Sequence, residues 1–294
     1  MNQPPLRNFR SNVTSRHGEN GIIAEIFKRI GAQNKWCVEF GAANGTYCSN
    51  VWTLIHGHGW SGVLIEADRT AFEKLTEAYK ATPQAICLNV FISFEGENKL
   101  DSIFARTPLP KDFDLVSIDI DGNDYHVWES LVEYRPRVTV VEFNPTIPND
   151  IVFVQPRDMA VQQGSSLLAL LQLGKEKGYE LVEVVNTNAF FVDAALVPAL
   201  GLSDTSLTDL HPETDCYTRV FQLYDGTLVL DGYKQLMWHR LPITHEAIQI
   251  LPTGKRGYPA GTSASSPVRT LKYWVRKSPF YPALTRLKKW ITRS

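Results

Sequence analysis

Cys37-Val38-Glu39-Phe40-Gly41-Ala42-Ala43-Asn44-Gly45 is the stretch that decides the fold of this chain. An apolar strand ends in a carboxylate and passes into a turn holding two glycines. A helical pattern begins soon after, between Tyr47 and His56. Glycine lets a backbone reverse sharply and lie close against a neighbour or a ligand. The helix behind the turn aims its free N–H groups and positive dipole end back at it. Strand, glycine turn and helix in this order make a ligand-binding corner of a parallel α/β sheet.

The next strand carries the matching feature. Gly62-Val63-Leu64-Ile65-Glu66-Ala67-Asp68 reads as a buried strand ending in an acid, with Glu66 25 residues past Gly41. An acid about 20 residues beyond a glycine turn is where a ribose diol is gripped, and Asp68 is the next candidate. The blander use of such an acid is to cap the helix from Arg69 to Tyr79. The turn is spaced G-x-x-x-G, not the G-x-G-x-x-G of pyrophosphate sites. That spacing favours S-adenosylmethionine, a nucleoside with a carboxylate and an amine and no phosphate. Glu39, Gly41, Ala42, Asn44, Gly45 and Glu66 are the expected cofactor residues, with Asn89 near the adenine and Asp119 beside them.

Strand and helix patterns alternate from here, the mark of a doubly wound sheet. Strands read as Trp36–Gly41, Gly62–Ala67, Ala85–Ile92, Phe113–Ile120 and Arg137–Asn144. Helices fall near Cys48–His56, Ala71–Tyr79, Asn98–Ala105 and Tyr125–Val132, and an amphipathic helix over Gly18–Ile30 precedes them. A helix from Ser165 to Gly178 is followed by Glu180–Val185 and Ala189–Val192, a hairpin about Asn186-Thr187-Asn188. The expectation is α/β: a mostly parallel seven-stranded sheet ending in an antiparallel hairpin, with a C-terminal extension. The chain divides into an N-terminal helical segment (1–35), a cofactor-binding domain (36–193), an extension (194–251) and a basic linker and tail (252–294). Residues 194 to 216 read as loop, and Thr218–Tyr224 with Thr227–Leu230 form a hairpin about Asp225-Gly226.

Ligands of open parallel sheets sit outside the carboxyl ends of the strands. The fourth strand ends in Asp119-Ile120-Asp121-Gly122-Asn123-Asp124-Tyr125-His126 and the fifth in Glu142-Phe143-Asn144-Pro145. Crowded carboxylates resist ionisation, and perturbed acids in a cleft are candidate bases. Strand alternation puts Asp119 and Asp121 on one face until the chain turns at Gly122. Asp121, Asp124 and Glu142 are the catalytic candidates. A divalent cation on Asp119, Asp121 and Glu142 or Asn144, an all-oxygen set suited to Mg²⁺, is the less favoured use. His126 reads as a helix-face residue, and Tyr125 and Trp128 as core packing or an acceptor pocket. The loop Thr146 to Gln163, holding Asn149, Asp150, Gln155, Arg157 and Asp158, reads as a lid or clamp, in which Arg157 either holds an anionic acceptor group or ties the loop to its own Asp.

With 294 residues, 44% hydrophobic and 21% charged, the chain can bury a full core and resembles a soluble globular protein. Four cysteines, without metal spacing, suit a reducing cytoplasm. No acid follows Glu246, whereas Lys255 to Arg293 holds ten basic residues, leaving the remainder near −11. That charge argues against a nucleic-acid enzyme. The segments Val268-x-x-Leu271-x-x-Trp274-Val275 and Leu284-x-x-Leu287-x-x-Trp290-Ile291 set apolar residues opposite Lys and Arg. Residues 268–294 therefore suit either an anionic membrane surface, at the inner face, or a protein partner or the body itself.

Taken together, these residues resemble the FkbM-type branch of S-adenosylmethionine-dependent methyltransferases. Ile118-Asp119-Ile120-Asp121-Gly122-Asn123-Asp124 is similar to that family's I-D-x-E-G-x-E, with both Glu positions shortened to Asp. Val38 to Gly45 is similar to its cofactor turn, and Ser15-Arg16-His17-Gly18-Glu19 to its S-Q-x-G-Q/E element. The resemblance covers residues 13 to 193. It implies a Rossmann-like class I methyltransferase fold and O-methylation of a hydroxyl on a sugar, polyol or secondary metabolite, so the expected partner is a small-molecule or glycan acceptor. The contrasting reading is a non-catalytic scaffold on the same fold, held at a membrane or partner by its basic tail.

Overall fold

The computed structural model describes residues 3–203, 206–212 and 216–258. They fall into two compact units, Met1–Tyr217 and Thr218–Ser294.

The first unit is built on a seven-stranded sheet of order β3-β2-β1-β4-β5-β7-β6. Its strands are β1 (Trp36–Phe40), β2 (Ser61–Glu66), β3 (Ala85–Asn89), β4 (Asp112–Ile118), β5 (Arg135–Glu142), β6 (Tyr179–Val185) and β7 (Asn188–Asp193). The first five are mutually parallel, and β7 runs antiparallel between β5 and β6. Asn186, in the left-handed region at φ 53°, makes the tight reversal from β6 to β7.

Alternation along β1 splits the core. Val38 and Phe40 face a layer made by α4 (Leu100–Phe104), α5 (Asp124–Ser130) and α6 (Leu167–Glu176). Cys37 faces the opposite layer, made by α1 (Glu19–Ile30), α2 (Trp52–His58) and α3 (Arg69–Tyr79). Both layers are closed by helices with one apolar stripe, such as Ile22, Ile23, Ile26 and Phe27 of α1. Trp128 lies wholly inside, against Phe191 and Tyr179, so its use is packing. The end of the unit, read as loop from sequence, forms two short helices, α7 (Val197–Leu200) and α8 (Leu207–Leu210).

Two shifts of expected boundaries bear on the site. The second helix starts at Trp52, not Cys48, because Cys48 turns into the left-handed region (φ 59°) and Ser49 Oγ caps the helix by accepting from Val51 and Trp52. Strand β4 stops at Ile118, so alternation no longer governs Asp119 and Asp121, and Asp121 itself is left-handed at φ 57°.

The second unit contains the hairpin β8 (Thr218–Gln222) and β9 (Leu228–Gly232), a smaller pair β10 (Gln235–Leu236) and β11 (Leu241–Pro242), and two 3₁₀ turns. Among its described residues Leu230 is the one buried apolar side chain. The amphipathic segments of 268–294, and most of the linker expected over 252–267, lie outside the described residues. No helix among the described residues is long and apolar enough to cross a membrane.

Candidate functional site

The site lies at the carboxyl ends of β1, β2, β4 and β5. Gly41 is required there for a protein reason: at φ 68° a Cβ would stand 1.9 Å from the Asp119 carbonyl oxygen. Gly45, at φ 83°, lets the turn pack on α3, where a Cβ would meet Leu75 and Tyr79 at 2.7 Å. Tyr79 also donates its hydroxyl to the Gly45 carbonyl, 3.2 Å away. Asn44 folds the turn on itself, its Oδ1 accepting from Thr46 N and Tyr47 N. Ala42 is buried and donates its N–H to Ile65.

Glu66 joins the second strand to this turn. One carboxylate oxygen accepts from Ala43 N at 2.8 Å and the other from Asp68 N at 2.7 Å. Each oxygen keeps a lone pair, and among the described residues no Lys or Arg pairs with it. Asp68 caps α3 instead, accepting from Ala71 N at 2.7 Å. Asn89 sits at the end of β3 and donates to the Glu66 and Ala67 carbonyls, which fixes the end of β2.

Glu39 is buried behind the turn. Its carboxylate accepts from Ser49 Oγ at 2.7 Å and Asn50 N at 2.6 Å, and Asn50 in turn donates to Ser117 of β4. Burial pushes its pKa up to about 7 against these hydrogen bonds.

The carboxylates of Asp119, Asp121 and Glu142 converge, with one oxygen from each within 4.8 Å of the others. Asp119 keeps an opening to solvent in a recess crowded with protein, and burial, then Asp121, raises its pKa. Burial, and then Asp119, raises the pKa of Glu142 as well, so this pair resists carrying two charges at once. Three oxygens in this arrangement can also take a hard divalent cation. Asp124 stands deeper. Its two oxygens accept from Ile120 N at 2.8 Å and Gly122 N at 2.9 Å, so it shapes the turn that carries Asp119 and Asp121. Burial raises its pKa to about 7.

A segment ahead of α1 closes one side. Asn20 accepts the N–H groups of Val13, Thr14 and Ser15 on a single oxygen, and Thr14 Oγ1 donates to Ser49 O at 2.8 Å. Buried Glu19 accepts from His17 N and from Asn188 at the β6–β7 turn. The opposite wall is the loop after β5. Gln155, buried in it, accepts from Gln163 N and Gly164 N and donates to Val161 O, while its carbonyl meets His126 Nε2 at 2.8 Å. Arg157 pairs with Glu129 of α5 and lies over the Phe94 ring at 4.6 Å. The loop is a pinned wall, and its arginine ties it to a helix rather than to an acid of the loop itself.

Sequence reading brought Glu39, the Gly41–Gly45 turn, Glu66, Asp119, Asp121, Asp124 and Glu142 to one end of the sheet, and the structure gathers them there. It assigned no individual role to Glu19, Asn20, Ser49, Asn50, Ser117 or Gln155. The signal available for Ser49-Asn50 was a polar pair directly ahead of a helical pattern, the usual look of a cap. Ala43, Cys48 and Asp121, all non-glycine residues at positive φ, cluster in these same turns, where backbone strain marks functional sites.

The strand order, with one antiparallel strand set between the last parallel strand and its partner, is that of the Rossmann-like class I methyltransferase fold. No family model matches the chain, and no curated protein does. Among solved structures, a sarcosine dimethylglycine methyltransferase of Galdieria sulphuraria is similar over 56% of this chain and 62% of its own, at 12% identity and a TM-score of 0.38. This chain thus spans about three fifths of that protein's length. A SAM-dependent methyltransferase of Aquifex aeolicus is similar over 65% of this chain and 94% of its own, at 12% identity and 0.35. The O-methyltransferase NcsB1, solved with S-adenosylhomocysteine and a dihydroxynaphthoic acid, is similar over 59% and 52%, at 14% identity and 0.36. These are likenesses of fold; strand order and register define the fold independently of them.

Proposed function

We propose that this chain is an S-adenosylmethionine-dependent O-methyltransferase of the FkbM type, acting on a hydroxyl of an uncharged or cationic small molecule such as a sugar or polyol. The observation that carries the reading is Glu66: a half-buried carboxylate on the glycine turn, with a lone pair left on each oxygen and no cation beside it among the described residues. That is acceptor chemistry for two vicinal hydroxyls. Glu66 and the Gly41–Gly45 turn would hold the nucleoside, with Asp119 and Glu39 behind it. When bound, S-adenosylmethionine supplies an electrophilic methyl group on a sulfonium sulfur.

The chain's own residues then position the acceptor. The Asp119–Asp121–Glu142 cluster accepts hydrogen bonds from a hydroxyl, and Asp121 or Asp119 takes its proton. Asp124 acts as a positioning residue, through the two N–H groups it holds. The acidic side chains of Glu66, Asp119 and Asp121 at this end of the sheet disfavour phosphates and carboxylates, which restricts the acceptor's charge.

Calorimetric titration of S-adenosylmethionine and S-adenosylhomocysteine into the wild type and Glu66→Ala tests this. Micromolar binding by the wild type, weakened about 100-fold in the variant, is expected for the loss of two hydrogen bonds to a charged acceptor. Absence of binding by the wild type, with and without candidate polyols, overturns it.

A further inference from the structure

The boundary between the two compact units is also a boundary of charge. Residues 1–217 hold 17 Lys and Arg against 28 Asp and Glu, a net −11; residues 218–294 hold 13 against three, a net +10. Within the second unit the β8–β9 hairpin bends back onto the turn at 250–258. Gly257 N donates to Asp225 O at 3.1 Å, Arg256 Nε to Leu251 O at 2.9 Å, and the Tyr224 and Tyr258 rings lie 6.1 Å apart. The Asp225 carboxylate is occupied locally by Thr227 N and Oγ1.

The surface so assembled is unusual for a soluble protein. Tyr224 is 88% exposed, Ile250 82% and Tyr258 66%, with Leu251 beside them and Lys255 and Arg256 on the same turn. Monomeric proteins seldom leave aliphatic and aromatic groups together in the open without a partner. Tyrosines flanked by aliphatics and basic residues are what the headgroup region of a bilayer accommodates, ring at the interface and cation at the phosphates.

We infer that the hairpin tip and the 250–258 turn dock this protein on an anionic lipid bilayer. Charge selects this occupant over others. Residues 259–294 add eight basic residues and no acid, so the chain's own tail has the same sign as Lys255 and Arg256 and does not complement them. Nucleic acid shares the negative charge, but its interfaces are polar and give Ile250 and Leu251 no apolar phase to enter. The patch also differs from an electrostatic tail acting alone, because it requires two uncharged side chains.

The full chain is to be sedimented with vesicles of phosphatidylcholine alone and of phosphatidylcholine with an equal part of phosphatidylglycerol. Pelleting with the anionic vesicles only is expected. A Tyr224→Ser/Ile250→Ser variant, shown folded by circular dichroism, should bind about tenfold more weakly although every basic residue remains. Lys255→Gln/Arg256→Gln should weaken binding to the anionic vesicles and make it less sensitive to salt. Failure to pellet with anionic vesicles, or undiminished binding by the Tyr224/Ile250 variant, overturns the inference. So does lipid-free dimerisation that the same variant abolishes, which would assign the patch to a second copy. Displacement from vesicles by RNA with the same dependence on Tyr224 and Ile250 would assign it to nucleic acid.

Discussion

At the scale of single residues, Glu39 sets a pH dependence whose sign follows from burial. Its pKa is about 7 in the folded chain against an ordinary 4.5. Between those values the folded chain holds a proton that the unfolded chain has released, so stability falls as pH rises through this window and the contribution is gone above it. Asp124 and the Asp119–Glu142 pair act with the same sign. Glu39→Gln should remove its part of the fall, up to about 3 kcal/mol, as measured by denaturant unfolding at pH 4.5 and above pH 7. Asp114, at the amino end of β4, is held by hydrogen bonds and an ion pair. It accepts from the N–H groups of Gln33, Asn34 and Lys35 and pairs with Arg137 at 2.7 Å. Asp114→Ala should cost about 3–5 kcal/mol by leaving Arg137 and three N–H groups without it, yet leave cofactor affinity unchanged in the protein that stays folded. Gly41→Ala should do the reverse damage, forcing the Asp119 carbonyl out of the site; loss of nucleoside binding in a chain that still melts cooperatively is the expected result.

At the scale of elements, the site depends on two irregular segments, and here sequence and structure part company. The strands and helices were legible because apolar periodicity of two or 3.6 residues survives any tertiary detail. The Gly41–Gly45 turn and Glu66 were legible because a sharp turn and a strand-end acid stand at a fixed distance along the chain. The walls were not. Asn20 organises residues 13–15 through their three N–H groups, and Gln155 organises the loop after β5 through Gln163, Gly164 and Val161. Neither residue has a local partner pattern, since their bonds reach five to nine positions away in irregular chain. Arg157 shows the same limit: its partner Glu129 lies 28 residues back, on a helix. Asn20→Ala is expected to lower stability by about 2–3 kcal/mol and to speed tryptic cleavage at Arg10 and Arg16. Gln155→Ala should speed cleavage at Arg157 in the same assay and weaken acceptor use more than nucleoside binding.

At the scale of the molecule, both apolar layers of the sheet are built, among the described residues, from positions up to Leu210. Residues 1–217 alone should therefore fold, melt within a few degrees of the full chain and bind S-adenosylmethionine equally, while losing all affinity for anionic vesicles. Thermal unfolding followed by circular dichroism, with calorimetry on the same sample, checks both halves of that statement.

What the sequence determined by itself is the class of fold, the end of the sheet on which the candidate residues gather and the opposed charges of the two parts. Each of these is carried by short-range spacing or by simple composition, which folding cannot change. Only the tertiary structure decided that Asp119, Asp121 and Glu142 share one space, that Asp124 and Asp68 hold backbone N–H groups, and that Glu39 lies behind the turn on Ser49 and Asn50. Those outcomes rest on side chains from separate strands and loops meeting within hydrogen-bond distance, where burial rather than residue type sets each carboxylate's charge.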